Sequence, residues 1–199
     1  MSNTNLSLAA LVGSRICHDL ISPVGAINNG LELLQMSAPD DSPELDLIAQ
    51  SVNSANARVR LFRVAFGVAS VAQKLGAPEV AGILSGVYDD ARHDVRYDAT
   101  GDVPRAEVQA AFLAVLCCET ALPVGGTITV REESGTWSIT AAGGRVDWDP
   151  ALWGPLSSGR APDAPSPSQV QFAMLPICLD DLHRRIDVQH DAETLTLRF

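Results

Sequence analysis

"LDLIAQSVNSANARVRLFRVAFGVA", residues 45–69, decides the fold of the first part of the chain. Its apolar residues Leu45, Ile48, Val52, Ala55, Val59, Phe62, Phe66 and Ala69 alternate in steps of 3 and 4. That is the period of a supercoiled seam, in which a and d positions face a partner helix. Upstream, "RICHDLISPVGAINNG" (15–30) opens a second run. Here Ile16, Leu20, Val24, Ile27, Leu31 and Leu34 lie 4, 4, 3, 4 and 3 apart, one stripe along a helix. "SAPDDSPE" (37–44) breaks the pattern between them, with Ser42 as N-cap and Pro43 at the first helical position, where its missing N–H costs nothing. Residues 5–75 therefore read as a long helical hairpin. Two such helices cannot cover both stripes alone. Either two hairpins dimerise into a four-helix bundle, or the hairpin packs on the rest of its own chain.

After "LGAPEV" (75–80) the pattern changes. "DVRYDA" (94–99) reads as a strand, "PRAEVQAAFLAVLCCETAL" (104–122) as a buried helix, and "GGTITVREE" (125–133) with "GTWSITAAG" (135–143) as a strand hairpin. A Pro/Gly/Ser-rich loop is expected over 150–168 and a helix around 168–184, followed by two closing strands around an Asp-Ala turn in "RIDVQHDAETLTLRF" (185–199). The fold class is α+β: a helical hairpin over 1–76, then an α/β sandwich over 77–199 with one sheet backed by helices.

Composition excludes several classes of function. The chain has 199 residues, 46% apolar and 19% charged, enough to bury a core. Its apolar run "AAFLAVLCC" (110–118) is too short to span a bilayer. "MSNTNLSLAALVGSR" (1–15) carries no basic segment ahead of an apolar one, so no secretion signal is expected. The four cysteines, Cys17, Cys117, Cys118 and Cys178, form no CxxC pair, which points to reduced thiols in a cytoplasm rather than disulfides or zinc. The net charge of −10 falls almost wholly on residues beyond 76, with no basic stripe, which argues against nucleic acid as a partner.

On a helical wheel His18, Ser22, Gly25 and Asn29 share one face, roughly opposite the Leu20–Val24–Ile27–Leu31 stripe. His18 therefore points away from the stripe, among small residues that leave space for a partner. Folding the hairpin about residue 40 sets Arg58, Arg60 and Arg63 near the level of His18. These arginines suit a phosphorylated imidazole; equally, they are the solvated face of a coiled coil. Pro23 removes the hydrogen bond to the Asp19 carbonyl and is expected to bend the helix. Asp19 either polarises the imidazole, keeping a ring nitrogen nucleophilic, or is an exposed helix acid. Cys17 beside one histidine makes neither a metal site nor a catalytic dyad. His93, His183 and His190 are scattered and read as structural or surface residues. Cys117 and Cys118 read as core, as does Trp137 in preference to a docking role, while Trp148 and Trp153 are open to either.

"HDLISP" (18–23) resembles the H-[ED]-L-x-x-P box of the dimerisation and phosphotransfer hairpin of sensor histidine kinases. The longer "RICHDLISPVGAINNGLELL" (15–34), with "RVAFGVA" in the second helix, is similar to the ChpT-type histidine phosphotransferases of alphaproteobacteria. The resemblance implies that His18 is the phosphoacceptor, Asp19 its neighbouring acid, Ser22 the polar position after the box and Pro23 the kink. Arg15, Asn29, Arg58, Arg60 and Arg63 are supporting candidates. It implies a homodimer that relays phosphoryl groups from the receiver aspartate of a hybrid histidine kinase to the aspartates of response regulators controlling the cell cycle or development. No cofactor is expected in the chain, and Mg²⁺ is expected in the partner receiver.

A kinase of this shape also needs an ATP site. The asparagines expected before "LPVGG" (122–126) fall on Leu113 and Cys117, and the adenine-reading aspartate on Ala141. The glycine-rich lid falls on "SPSQVQF" (166–172) and its neighbourhood, which holds no glycine to bring amides against phosphates. The second half is therefore expected to keep the histidine-kinase ATPase (Bergerat) shape without its nucleotide, a pseudo-histidine kinase whose remaining role is recognition. The alternatives are a non-catalytic scaffold that binds receiver domains and an atypical autokinase.

Overall fold

The computed structural model describes residues 3–36, 43–67, 72–89 and 92–199; several side chains of the first helix, Cys17 and His18 among them, lie outside that description, as does the expected Ser42 cap. Helices α1 (Asn3–Met36) and α2 (Pro43–Ala65) form the hairpin, and α1 carries Pro23 within it. The two helices approach closely at Gly30. A Cβ there would come within 2.5 Å of Ile48 Cγ1, so the crossing needs a residue without a side chain. The helix α2 stops at Ala65, short of the end of the seam at Ala69, which lies outside the described residues.

The stripes are divided between two surroundings. Ala57, Leu61, Val64 and Ala65 form a second apolar face of α2, buried in one core with the later helices. The seam residues Leu45, Val52 and Val59 stay exposed, as do Val24 and Leu31 of α1. Phe62 of the seam is buried with Ala57, Leu61, Val64 and Ala65, so the hairpin packs on its own chain at that end and leaves the seam exposed at Leu45, Val52 and Val59.

The second half opens with β1 (Lys74–Gly76), which pairs antiparallel with β3 (Asp102–Pro104). Between them lie α3 (Ala77–Tyr88) and β2 (His93–Asp98). Helix α4 (Arg105–Ala121) leads to β4 (Gly126–Glu133) and β5 (Thr136–Ala142). Then follow α5 (Pro150–Ser157), a 3-10 turn (Pro167–Gln169), α6 (Val170–Asp181), β6 (Asp187–His190) and β7 (Thr194–Arg198). The sheet order is β2-β4-β5-β7-β6, with β2 parallel to β4 and the other pairs antiparallel. Only the parallel pair needs a crossover helix, and α4 supplies it.

Ile128, Val130, Trp137, Ile139, Ala141, Leu195 and Leu197 point from the sheet into the core, while the register row Thr129–Thr140–Thr196 lies on the half-exposed face. One side is covered and the other solvated. Helix α4 is buried from Val108 to Cys118, so Cys117, Cys118 and Trp137 are core residues as expected, and Trp153 is too. Ser134 and Gly135 close the β4–β5 hairpin, both with positive φ.

Two expectations are corrected. Residues 150–157 are helix, not loop: the Asp149 side chain accepts from the Ala151 amide, Pro150 fits the first turn, and Leu152, Trp153 and Leu156 are buried. The Pro/Gly/Ser content hid a cap followed by an amphipathic turn. Helix α3 was not anticipated either, although Val80, Ile83, Leu84 and Val87 carry helical spacing and are all buried. Among the described residues no helix is long and apolar enough to cross a membrane.

Candidate functional site

The phosphotransfer-like box meets the second half across an open cleft of about 840 Å³. Helix α1 contributes Arg15, Asp19, Ser22 and Pro23, and α2 contributes Ser54 and Arg58. The opposite wall is Arg92, Glu119 and Thr120, with Ser168 and Gln169 of the 3-10 turn. His18 lies in the same turn of α1 as Arg15 and Asp19. Ser22 is exposed, and a Cβ at Gly25 would meet nothing within 4 Å, so this face of α1 is open. Pro23 has no N–H to give, which frees the Asp19 carbonyl from the helix ladder.

The Arg15 guanidinium joins two elements. Its Nε donates to Asp19 Oδ2 at 2.8 Å and its Nη1 donates to the Ser168 carbonyl at 2.7 Å. Both side chains of the pair are about nine-tenths buried, at 12% and 10% exposure. Asp19 is therefore a half of a shielded ion pair rather than a solvated helix acid. Of the three arginines expected near His18, the cleft takes Arg58 alone. Arg60 and Arg63 are exposed and Arg63 uses its carbonyl to accept from Arg105; Asn29 is exposed outside the cleft.

Behind the cleft lies a titratable cluster. Burial pushes the Glu119 carboxyl up, while His93, Arg15 and Arg58 pull it back down. Burial, then the Glu119 charge, pushes the Tyr88 phenol up. His93 Nε2 sits 2.9 Å from the Leu122 carbonyl, which only accepts, so that nitrogen carries a proton. Its Nδ1 is 3.9 Å from Glu119 Oε1. Glu119 was legible in principle, as the one acid in the apolar stretch "AAFLAVLCCET" (110–120). Ser168 was not, because it acts through its carbonyl.

The positions that the resemblance sets against a kinase's nucleotide contacts lie in the core. Leu113, Cys117 and Ala141 have no exposed surface, and burial pushes the Cys117 thiol well up. The segment at the position of a kinase's lid is a capped 3-10 turn, with Ser166 N donating to Gln169 Oε1 at 3.0 Å, running into α6. There Phe172 is buried edge-on against Trp153, with ring centroids 4.9 Å apart. "LPVGG" keeps its glycines for a backbone reason. Gly125 has φ +97°, and a Cβ at Gly125 or Gly126 would overlap the Arg92 or Ala142 carbonyl. Among the described residues no group of three or more His, Cys, Asp or Glu is arranged to hold a metal ion.

Comparison with known proteins adds three similarities. The family model of the histidine phosphotransferase C-terminal domain matches residues 77–194. The protein phosphotransferase ChpT of Brucella abortus (strain 2308) is 34% identical over 165 residues, 80% of this chain and 78% of that protein. A solved structure of a bacterial phosphotransferase is 31% identical, with a TM-score of 0.81 over 100% of this chain and 97% of the other.

Proposed function

Because the chain belongs to the histidine phosphotransferase family, we propose that it carries phosphoryl groups on His18 between receiver aspartates of a two-component phosphorelay. The donor is the receiver of a hybrid histidine kinase, and the acceptors are response regulators. The observation that carries this reading is the cleft, which gathers Asp19, Ser22 and Pro23 of the His18 box with the Arg58 guanidinium.

In the forward step a His18 ring nitrogen attacks the phosphorus of the donor's aspartyl phosphate in line. The N–P bond forms as the P–O bond breaks, and the carboxylate leaves. The second transfer runs the same exchange towards a new aspartate. Both phosphorylated species are high in energy, so the relay is reversible and depends mainly on positioning and charge. Arg58 balances charge on the phosphoryl oxygens. The Arg15-paired Asp19 orients and polarises the imidazole. The Mg²⁺ that such transfers use is assigned to the receiver.

The working form is a homodimer. Val24 and Leu31 on α1, and Leu45, Val52 and Val59 on α2, repeat every seven residues and are 38% to 52% exposed. Such rows are covered when two hairpins form a four-helix bundle. The second half is read as an ATPase-like domain without nucleotide, supported by the complete burial of Leu113, Cys117 and Ala141.

The test supplies γ-labelled ATP alone, then a phosphorylated hybrid-kinase receiver, to wild type and to His18→Ala. Label from the receiver on wild type only is the expected result. Label from ATP alone would make the protein an autokinase. A wild type that binds the receiver and takes no label is a scaffold.

A further inference from the structure

A continuous hydrogen-bonded chain leads from the residue next to His18 to the centre of the second half. Asp19 accepts from Arg15 Nε, and Arg15 Nη1 reaches the Ser168 carbonyl. That carbonyl also accepts from Gln171 Nε2 at 3.0 Å. The same amide nitrogen lies 3.1 Å from Thr120 Oγ1 and 3.4 Å from the Leu116 carbonyl, both on α4. Gln171 is fully buried, and α4 is buried along most of its length. The 3-10 turn that presents Ser168 is itself fixed by the reciprocal Ser166–Gln169 cap.

Resting on the reading of His18 as phosphoacceptor, we infer that Arg15 and Gln171 are positioning residues for phosphotransfer. Together they clamp the His18-bearing turn of α1 onto α4 through the Ser168 carbonyl. This assigns the second half a mechanical task, which is to hold one turn of α1 in register with the incoming phosphoryl group. The site needs the forked geometry of arginine. Two different guanidinium nitrogens serve two acceptors on two elements, and a lysine ammonium on a flexible stem does not reproduce that fork. Pro23, one turn further on, removes a helix hydrogen bond, so this turn of α1 depends more on outside support.

The experiment measures single-turnover transfer from a phosphorylated receiver to the full-length protein, for wild type, Arg15→Ala, Arg15→Lys, Gln171→Met and the double variant Arg15→Ala/Gln171→Met. Arg15→Ala and Arg15→Lys are both expected to lower the maximal rate about 10- to 100-fold, because small misplacements of reacting groups cost that much. The receiver concentration giving half that rate stays within about twofold, since the clamp is not a docking contact. The double variant matches Arg15→Ala to within about twofold, because both changes cut one chain. Hydrogen exchange should quicken over residues 15–23 in the Arg15 variants while α4 stays protected.

Wild-type rates in Arg15→Ala overturn the inference, as does multiplication of the two single losses in the double variant. Rescue by Arg15→Lys overturns the fork. If Arg15→Ala does not fold, Arg15→Lys, which keeps stem and charge, decides. A wild type that takes no label brings down the phosphoacceptor reading itself, and that failure is recognised without any variant.

Discussion

Helices α2 and α4 both carry long apolar patterns, yet they stand in opposite situations. Helix α4 is enclosed within the chain by strands of the sheet, by α6 and by α2. Helix α2 has such neighbours along α1 and along Ala57, Leu61, Phe62, Val64 and Ala65, while Leu45, Val52 and Val59 face outward. A residue enclosed by its own chain is stabilised at any dilution. A residue whose cover is a second copy is stabilised by mass action. With the proposed dimer as the cover of that row, the second half is expected to be a unimolecular fold and the hairpin's stability to depend on concentration.

The strongest test of this difference removes a buried ring. Trp153→Ala empties a fully buried site against Trp148 and Phe172, and is expected to lower stability by about 3–5 kcal/mol in a denaturant melt. The loss should not depend on protein concentration. Val52→Glu makes the complementary break. A carboxylate set into the seam should cost about 2–3 kcal/mol of association, read as dissociation by sedimentation, while the near-ultraviolet signature of the second half survives. A Val52→Glu protein that sediments as wild type would remove the reason for treating the two helices differently.

A smaller effect sharpens the comparison within the hairpin. Gly30→Ala places a methyl against Ile48, and is expected to cost about 1–2 kcal/mol as the helices move apart. The loss should appear in exchange of α1 and α2 amides and leave α4 unchanged.

Sequence reading succeeded where a single periodicity decided the outcome. The hairpin, α4, β2, β4, β5 and the closing strands all follow from spacing. It failed where one helix carries two apolar faces. The face Ala57–Leu61–Val64 overlaps the seam in sequence and packs within the chain, while Leu45, Val52 and Val59 of the seam stay exposed. It failed again at α5, where proline in a helix's first turn looks like loop. At the site, the box from His18 to Pro23 was legible as a motif. Level-counting along the hairpin put Arg58, Arg60 and Arg63 together, but side-chain direction admits only Arg58 to the cleft. Gln171 and the Ser168 carbonyl were hidden, because a polar residue on an apolar helix and a backbone acceptor acquire meaning only from what lies opposite.

The smallest expected effect concerns the boundary between the two regions. Glu119 belongs to the enclosed helix, yet it faces the cleft arginines. Its carboxyl is pushed up chiefly by burial, so the folded protein holds that proton more tightly than the unfolded chain does. Stability then falls as pH rises from the ordinary glutamate range to the raised value, and the penalty is complete above it. Glu119→Gln keeps shape and removes the charge. It should abolish that slope and raise the melting temperature slightly at neutral pH, by less than Gly30→Ala lowers it. The opposite sign at neutral pH would mean that Arg15, Arg58 and His93 outweigh burial. Glu119 would then be the counter-ion that holds the cleft arginines in place, and the enclosed helix would set the charge of the site as well as its position.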